Sequence, residues 1–314
     1  MRTKRQRNSP DHALPDRGSR SAGVSHCSAL IKLLPDKSDV VFAHNTWDDF
    51  QAAYPRIFKN YQHALLAPSS TLGAEAGAGV VLFDVHFSSS PALLSSVDDF
   101  YTINGNARLA VTETTLDIYT KSLLEAVVPE AMLAWSRARV ANQLAKDGPG
   151  WVDLFTNYSA GTYANEWMVL DLTKFTPGGD PKKGFLMVLE EVPGYAHWED
   201  MTSHISTLDY WASYNNPYFD DIAELSGNAA LCRQDKSSCH LTDPRALIFR
   251  EQQGAARDIA GVQRLMGYNQ FRSDPLSLNN SCNVRFPLPL PLLLLLPLPL
   301  PRPLPLPFSS STSD

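Results

Sequence analysis

Between Phe286 and Phe308 the chain is almost nothing but leucine and proline, with nine prolines from Pro287 to Pro307. No other stretch so narrows what the chain can fold into. Leu292–Leu296 is apolar enough to suggest a membrane span, but a span needs about 20 residues of helix. Prolines at alternate positions remove the amide hydrogens such a helix requires. Residues 284–314 therefore read as an extended, polyproline-like, unpacked tail. Leucine and proline codons are both pyrimidine-rich, so a translated pyrimidine tract would give the same run. At the other end, residues 1–25 are polar and basic, contain Pro10, Pro15 and Gly18, and lack apolar periodicity. They also lack the apolar core of a secretory signal. The stretch reads as a disordered leader; a nuclear signal or nucleic-acid arm is the other meaning of a basic run.

A folded domain has to come from residues 26–283. Residues 1–22 carry six basic side chains against Asp11 and Asp16, so a net charge of −6 leaves about −10 on the rest. An acidic body argues against a nucleic-acid surface. Four cysteines, Cys27, Cys232, Cys239 and Cys282, are too few for a disulfide scaffold and lack zinc-site spacing. No metal and no cofactor is expected.

Ser28–Leu34 and Asp39–Asn45 are apolar runs split by Pro35-Asp36-Lys37, which predicts strand, turn, strand. Gly79–Phe87 and Leu109–Thr115 are strand-like, and Pro129 opens a helix over Glu130–Lys146 with Gly148 just past its end. Tyr163–Phe175 and Gly184–Val192 read as strands around Pro177-Gly178-Gly179. After Pro193 the chain reads as aromatic and loop-rich, with a late helix over Arg257–Gly267. Clustered strands with a few long helices predict an α+β fold.

Cys27 stands immediately before an apolar strand. A free cysteine is ordinarily a small buried hydrophobe. The neighbouring strand, however, leaves with His44, Asn45, Thr46 and Trp47, so antiparallel pairing would bring a thiol and polar groups together. Taken singly, His44 reads as a hydrogen-bonded structural histidine and Trp47 as core. Asn215 in Asn215-Asn216-Pro217 reads as a turn, and Arg245 after Pro244 as a surface ion pair.

His26-Cys27-Ser28-Ala29-Leu30-Ile31-Lys32-Leu33-Leu34-Pro35, followed by Ala43-His44-Asn45-Thr46-Trp47, resembles the phospholipase B-like family. The likeness continues through Asp98-Asp99-Phe100-Tyr101, Glu113-Thr114-Thr115, Tyr210-Trp211-Ala212-Ser213-Tyr214-Asn215, Pro244-Arg245-Ala246 and Asp274-Pro275-Leu276-Ser277-Leu278. It covers residues 26–283 in order and favours the phospholipase B-like 2 branch. The resemblance implies an N-terminal-nucleophile hydrolase, an αββα sandwich, in a lysosomal or secreted glycoprotein. It further implies self-cleavage before Cys27, whose freed amine, with an ordinary pKa of about 8, then serves as the base for its own thiol. Carried over position by position, His44, Asn45, Trp47, Thr115, Asn215 and Arg245 line the pocket. Asn215 and Asn45 are then oxyanion donors, Thr115 is a hydrogen-bonding wall, and Arg245 a charge near the amine. Work near pH 5 would need the amine and thiol pKa values moved down, with Arg245 helping. Asn157 and Asn279 head glycosylation sequons, and Cys232 and Cys239 can bridge a local loop in an oxidising compartment.

The implied activity is release of fatty acid from phospholipid, with no nucleic-acid partner. A non-catalytic lipid- or protein-binding role and an amidase are the alternatives. Family members carry a segment upstream of the nucleophile and strands beyond position 283. The expectation is therefore a fold incomplete in this chain, inactive and aggregation-prone when expressed alone.

Overall fold

A computed structural model describes residues 27–46, 55–67 and 79–277. The leader, the Leu/Pro tail and the domain limits at 26 and 283 lie outside the described residues. The first elements are strands β1 (Cys27–Leu33), β2 (Val40–Thr46), β3 (Ile57–Ala67), β4 (Gly79–Ser89), β5 (Phe100–Ile103) and β6 (Leu109–Thr115). Helices α1 (Ala134–Leu144) and α2 (Gly148–Thr156) follow, then β7 (Asn165–Asp171), β8 (Leu186–Val192) and β9 (Tyr195–Asp200). The chain continues through α3 (Thr202–Leu208), β10 (Tyr210–Ser213), α4 (Asp220–Ser226), α5 (Asn228–Gln234), α6 (Pro244–Gln252) and α7 (Ile259–Met266).

Every named strand pairing is antiparallel. Strands β3 to β9 form a seven-stranded sheet in chain order, and a three-stranded sheet runs β10-β1-β2. Side chains alternate across a strand, and the alternation here builds layers. Ala29, Ile31 and Leu33 of β1 pack with Ala110, Met168, Leu170, Leu186 and Val188 between the two sheets. Leu109, Val111, Trp167, Val169 and Leu189 face the other way, against Ala138 and Ala141 of α1 and Trp151, Val152 and Phe155 of α2. Leu30, Val41 and Ala43 turn away from the large sheet onto Ile248 and Phe249 of α6 and Val262 and Leu265 of α7. Helices, sheet, sheet and helices are stacked in that order, and β1, β7 and β8 are buried on both faces.

The expected α+β class and the first strand pair agree with this fold, and three local expectations change. The helix over Glu130–Lys146 is α1 alone. Asp147 accepts from the Gly150 amide at 2.8 Å and Pro149 fills the first turn, so position 148 opens a second helix rather than closing the first. The strand over Tyr163–Phe175 ends at Asp171, whose carboxylate accepts from the Thr173 amide at 2.9 Å and starts a 3₁₀ turn. Downstream of Pro193 the chain is not loop-rich. It builds β9, β10 and five helices.

Candidate active site

Pairing of β1 with β2 sets Cys27 opposite Thr46 and Ala29 opposite His44. Cys27, His44 and Thr46 thus share the face turned toward the large sheet, while Ser28 and Asn45 share the other. Cys27 is 1% exposed. Just past β10, Asn215 sits in the left-handed region at φ 71°, a conformation asparagine tolerates better than most residues. That twist aims its amide at Cys27. Asn215 Oδ1 accepts from the Cys27 backbone N at 3.3 Å, and Nδ2 donates to Cys27 Sγ at 3.4 Å and to the Thr115 carbonyl at 2.8 Å.

Arg245 enters from the first turn of α6, where Asp243 caps its backbone amide at 2.7 Å. Its guanidinium donates to the Cys27 carbonyl at 2.8 Å, to Ser28 Oγ at 3.2 Å, to Asn215 Oδ1 at 3.0 Å and to the Tyr214 carbonyl. Because arginine only donates, Asn215 Oδ1 must be the oxygen, which fixes the orientation of that amide.

Burial pushes the Cys27 thiol pKa far up, and the charges of Asp99 and Glu113 push the same way against hydrogen bonds from Thr115 and Asn215. His44 is pulled down to about 4, burial outweighing Asp98 and the Glu113 backbone. Its ring is therefore neutral at pH 5 and above. Thr46 Oγ1 lies 3.4 Å from His44 Nδ1, and Nε2 is buried with no hydrogen-bond partner among the described residues. Glu113 is raised by burial first and then by Asp99, to which it is hydrogen-bonded. Both effects push the Glu113 carboxyl toward its neutral form. The Cys27 sulfur, a His44 ring nitrogen and an Asp99 carboxylate oxygen all lie within 4.8 Å of one another.

The structure thus brings Cys27, His44, Asn215, Arg245 and the Thr115 carbonyl into one place. The Thr115 hydroxyl instead meets the Tyr163 hydroxyl at 3.1 Å. Asn45 is the correction. On the opposite strand face, it donates to the Met266 carbonyl at 2.6 Å and fastens α7, so it is no oxyanion donor. The expected lowering of the thiol by Arg245 also fails in this intact chain: the guanidinium is spent on oxygens, and burial beside Asp99 and Glu113 moves the thiol upward. Trp47 and Asn279 lie outside the described residues. Asn157 is exposed, and Cys232 and Cys239 form a disulfide. Asp99, Glu113 and Tyr163 were given no role by the sequence reading. The signal for Glu113 was a charged residue inside an otherwise apolar and threonine-rich strand.

The family model described as phospholipase B matches residues 2–286. A phospholipase B-like 2 protein of Homo sapiens is 41% identical over 267 residues, covering 84% of this chain and 44% of its own length. Phospholipase B-like 1 of Rattus norvegicus is 38% identical over 262 residues, 83% of this chain and 45% of its own length. Phospholipase-B 81 of Drysdalia coronoides is 36% identical over 262 residues, again 83% and 45%. The chain spans less than half the length of these relatives.

Proposed function

The chain belongs to the phospholipase B family, and from that premise we propose that it is an N-terminal-nucleophile hydrolase that releases fatty acids from phospholipids through Cys27. The observation that carries this reading is a single amide, Asn215, bonded to both the backbone nitrogen and the sulfur of one buried cysteine at the start of a strand. An ordinary core cysteine needs an acceptor for its backbone N–H, but not one side chain that grips that nitrogen and the sulfur together. A residue whose amine and thiol must later act together needs both.

The first step is self-cleavage. Cys27 Sγ attacks the carbonyl carbon of residue 26, the peptide C–N bond breaks, and the Cys27 nitrogen leaves as an amine. Water then hydrolyses the thioester, restoring the thiol and freeing a carboxylate on residue 26. The new α-amine keeps its place against Asn215 Oδ1 and accepts the thiol proton in the second reaction. Sulfur attacks the acyl carbonyl of the lipid, the alcohol departs with the proton, and water hydrolyses the acyl-enzyme. Asn215 Nδ2, beside the sulfur, donates to the oxyanion. Arg245 positions the nucleophile by holding the Cys27 carbonyl and Asn215 Oδ1. Preorganised donors of this kind are worth more in a dry site than in water.

The layered order of helices and sheets supports the N-terminal-nucleophile fold, with residues 26–283 as the domain. The Cys232–Cys239 disulfide and the exposed Asn157 sequon support a lysosomal or secreted location. Among the described residues no helix is long and apolar enough to cross a membrane. The test is N-terminal sequencing of fragments from the intact chain and from Cys27→Ala, with fatty-acid release measured on diacyl and lyso phospholipids and on N-acyl amides. In place of the inactivity expected from the sequence alone, the assembled site calls for a fragment beginning at Cys27 and ester hydrolysis, both lost in the variant. A Cys27→Ala chain that processes and hydrolyses normally would end the proposal, and release from amides alone would make it an amidase.

A further inference from the structure

Two buried donors in the site, His44 Nε2 and the Cys27 sulfur, have more coordinating capacity than the hydrogen bonds around them use. His44 is 8% exposed, and its Nε2 has no hydrogen-bond partner among the described residues. Leaving such a nitrogen unpaired costs free energy unless something else takes its lone pair. The His44 ring also belongs to a set in which one of its nitrogens, the Cys27 sulfur and an Asp99 carboxylate oxygen lie within 4.8 Å of one another. Around tetrahedral zinc, bonds of about 2.0–2.3 Å put neighbouring donors roughly 3.3–3.8 Å apart. Side-chain rotations of about an ångström close that gap.

We infer that Cys27, His44 and Asp99 bind a zinc-class divalent cation, and that the bound ion holds the nucleophile inactive; this second half rests on the function proposed above. The donor types decide the class. Thiolate with imidazole favours zinc over magnesium or calcium, which take oxygen. Charge decides it too: a thiolate and a carboxylate against a dication leave a nearly neutral buried site, with the thiol proton released on binding. The outer contacts fit the role of ligand supports. Thr46 Oγ1 lies 3.4 Å from His44 Nδ1 and can accept its proton, which leaves Nε2 to coordinate. Glu113 is hydrogen-bonded to Asp99. After cleavage before Cys27, its α-amine and sulfur close a five-membered chelate on the same ion. The lone pairs that attack and that accept the proton are then both engaged.

The test loads the full chain with Co²⁺ as a spectroscopic stand-in and with Zn²⁺ in competition, in the natural sequence and in a Cys282→Ser background that assigns any thiolate signal to Cys27. Expected are stoichiometric binding, a near-ultraviolet sulfur-to-cobalt charge-transfer band, and displacement by Zn²⁺. Cys27→Ser loses the band, His44→Gln loses binding, and Thr46→Val weakens it by about 10-fold. Thermal unfolding of each variant without metal separates lost binding from lost fold. No band, or a band that survives Cys27→Ser, overturns the site. The regulatory half is read separately. Acyl hydrolysis that depends on Cys27 yet is untouched by saturating Zn²⁺ overturns inhibition while leaving the hydrolase reading intact. A band in a chain that shows no hydrolysis even when freed of metal supports the metal site and counts against the hydrolase instead.

Discussion

Asn215 shows how one residue joins backbone conformation to chemistry. Its left-handed φ of 71° would strain most side chains, and the return is an amide that touches Cys27 N, Cys27 Sγ, the Thr115 carbonyl and Arg245 at once. Asn215→Asp separates these roles, because aspartate tolerates the same backbone and keeps the acceptor for Arg245 and Cys27 N. It lacks the donor. A carboxylate oxygen then faces the Thr115 carbonyl and the sulfur, and the oxyanion loses its hydrogen bond. The expected outcome is a fall in kcat of about 10²–10³-fold for acyl release, together with slower cleavage before Cys27. Steady-state kinetics beside a time course of fragment formation measures both, and kcat within twofold of wild type would remove Asn215 from the chemistry. Much of this site was legible beforehand. Two apolar runs split by a Pro-Asp-Lys turn put Cys27 near the exit of β2 if the strands pair antiparallel, and Asn215 and Arg245 came from the matched stretches. The error at Asn45 was avoidable: strand alternation alone puts it on the face opposite His44. Asp99 and Glu113 were harder, since what makes them matter is proximity across strands, which spacing along the chain does not encode.

Among the elements, a buried ion pair adds to the apolar layer that joins the seven-stranded sheet to α1 and α2. Arg137 of α1 donates to both oxygens of Glu191 on β8, at 2.8 and 2.6 Å, and its guanidinium also reaches the Phe155 carbonyl and stacks over the Phe155 ring. Ser159 Oγ donates to the same carboxylate at 2.8 Å. Breaking a buried pair from one side leaves an uncompensated charge, which costs about 3–5 kcal/mol, whereas replacing both partners with apolar side chains is often close to neutral. Arg137→Met should therefore destabilise strongly, and Arg137→Met with Glu191→Met should recover most of the loss. A double-mutant cycle by denaturant unfolding checks this, and additive losses would show that the two groups do not act as a pair. Legibility at this scale followed burial. Strands β1, β7 and β8, buried on both faces, read as near-continuous apolar runs. β9, with none of its residues buried, and β3, with Lys59, Asn60, Gln62 and His63 in it, offered no such run. Their strand pairing comes from neighbours already in place.

For the whole molecule, the layer between the two sheets is not purely apolar, and that sets how stability changes with pH. Glu166 and Glu190 face each other across β7 and β8. Glu166 accepts from Trp211 Nε1 at 2.8 Å and Ser213 Oγ at 2.9 Å, and Glu190 accepts from the Tyr218 and Phe219 amides at 2.6 and 3.1 Å. Burial raises Glu166 to about 7 and raises Glu190, Glu113 and Asp243 as well. A carboxyl with a raised folded pKa contributes stability that is complete below its unfolded value and is lost as pH climbs through the folded value. The buried imidazoles run the other way. His44 and His240, both lowered to about 4 by burial, contribute stability present above their ordinary 6.5 and lost as pH falls toward 4. Between 4.5 and 6.5 the two sets oppose each other. At 6.5 these histidines are neutral in the folded chain but half charged in the unfolded one, so they still add about 0.4 kcal/mol each as pH rises to 7.5, after which only the carboxyls act. Glu166 loses about 1 kcal/mol between pH 6.5 and 8, close to what the two histidines gain, so the net decline over that range comes from Glu190 and Glu113, which burial raises as well. Glu166→Gln keeps an acceptor for Trp211 and a polar group for Ser213 but no longer titrates, so it should flatten the decline by its own share and leave stability at pH 5 nearly unchanged. Chemical denaturation at half-unit steps from pH 5 to 8, on wild type and Glu166→Gln, reads this directly. Unfolding free energy that is flat or rises from 6.5 to 8 in the wild type would mean that these carboxyls are ionised in the folded chain, and that the polar layer between the sheets is open to water.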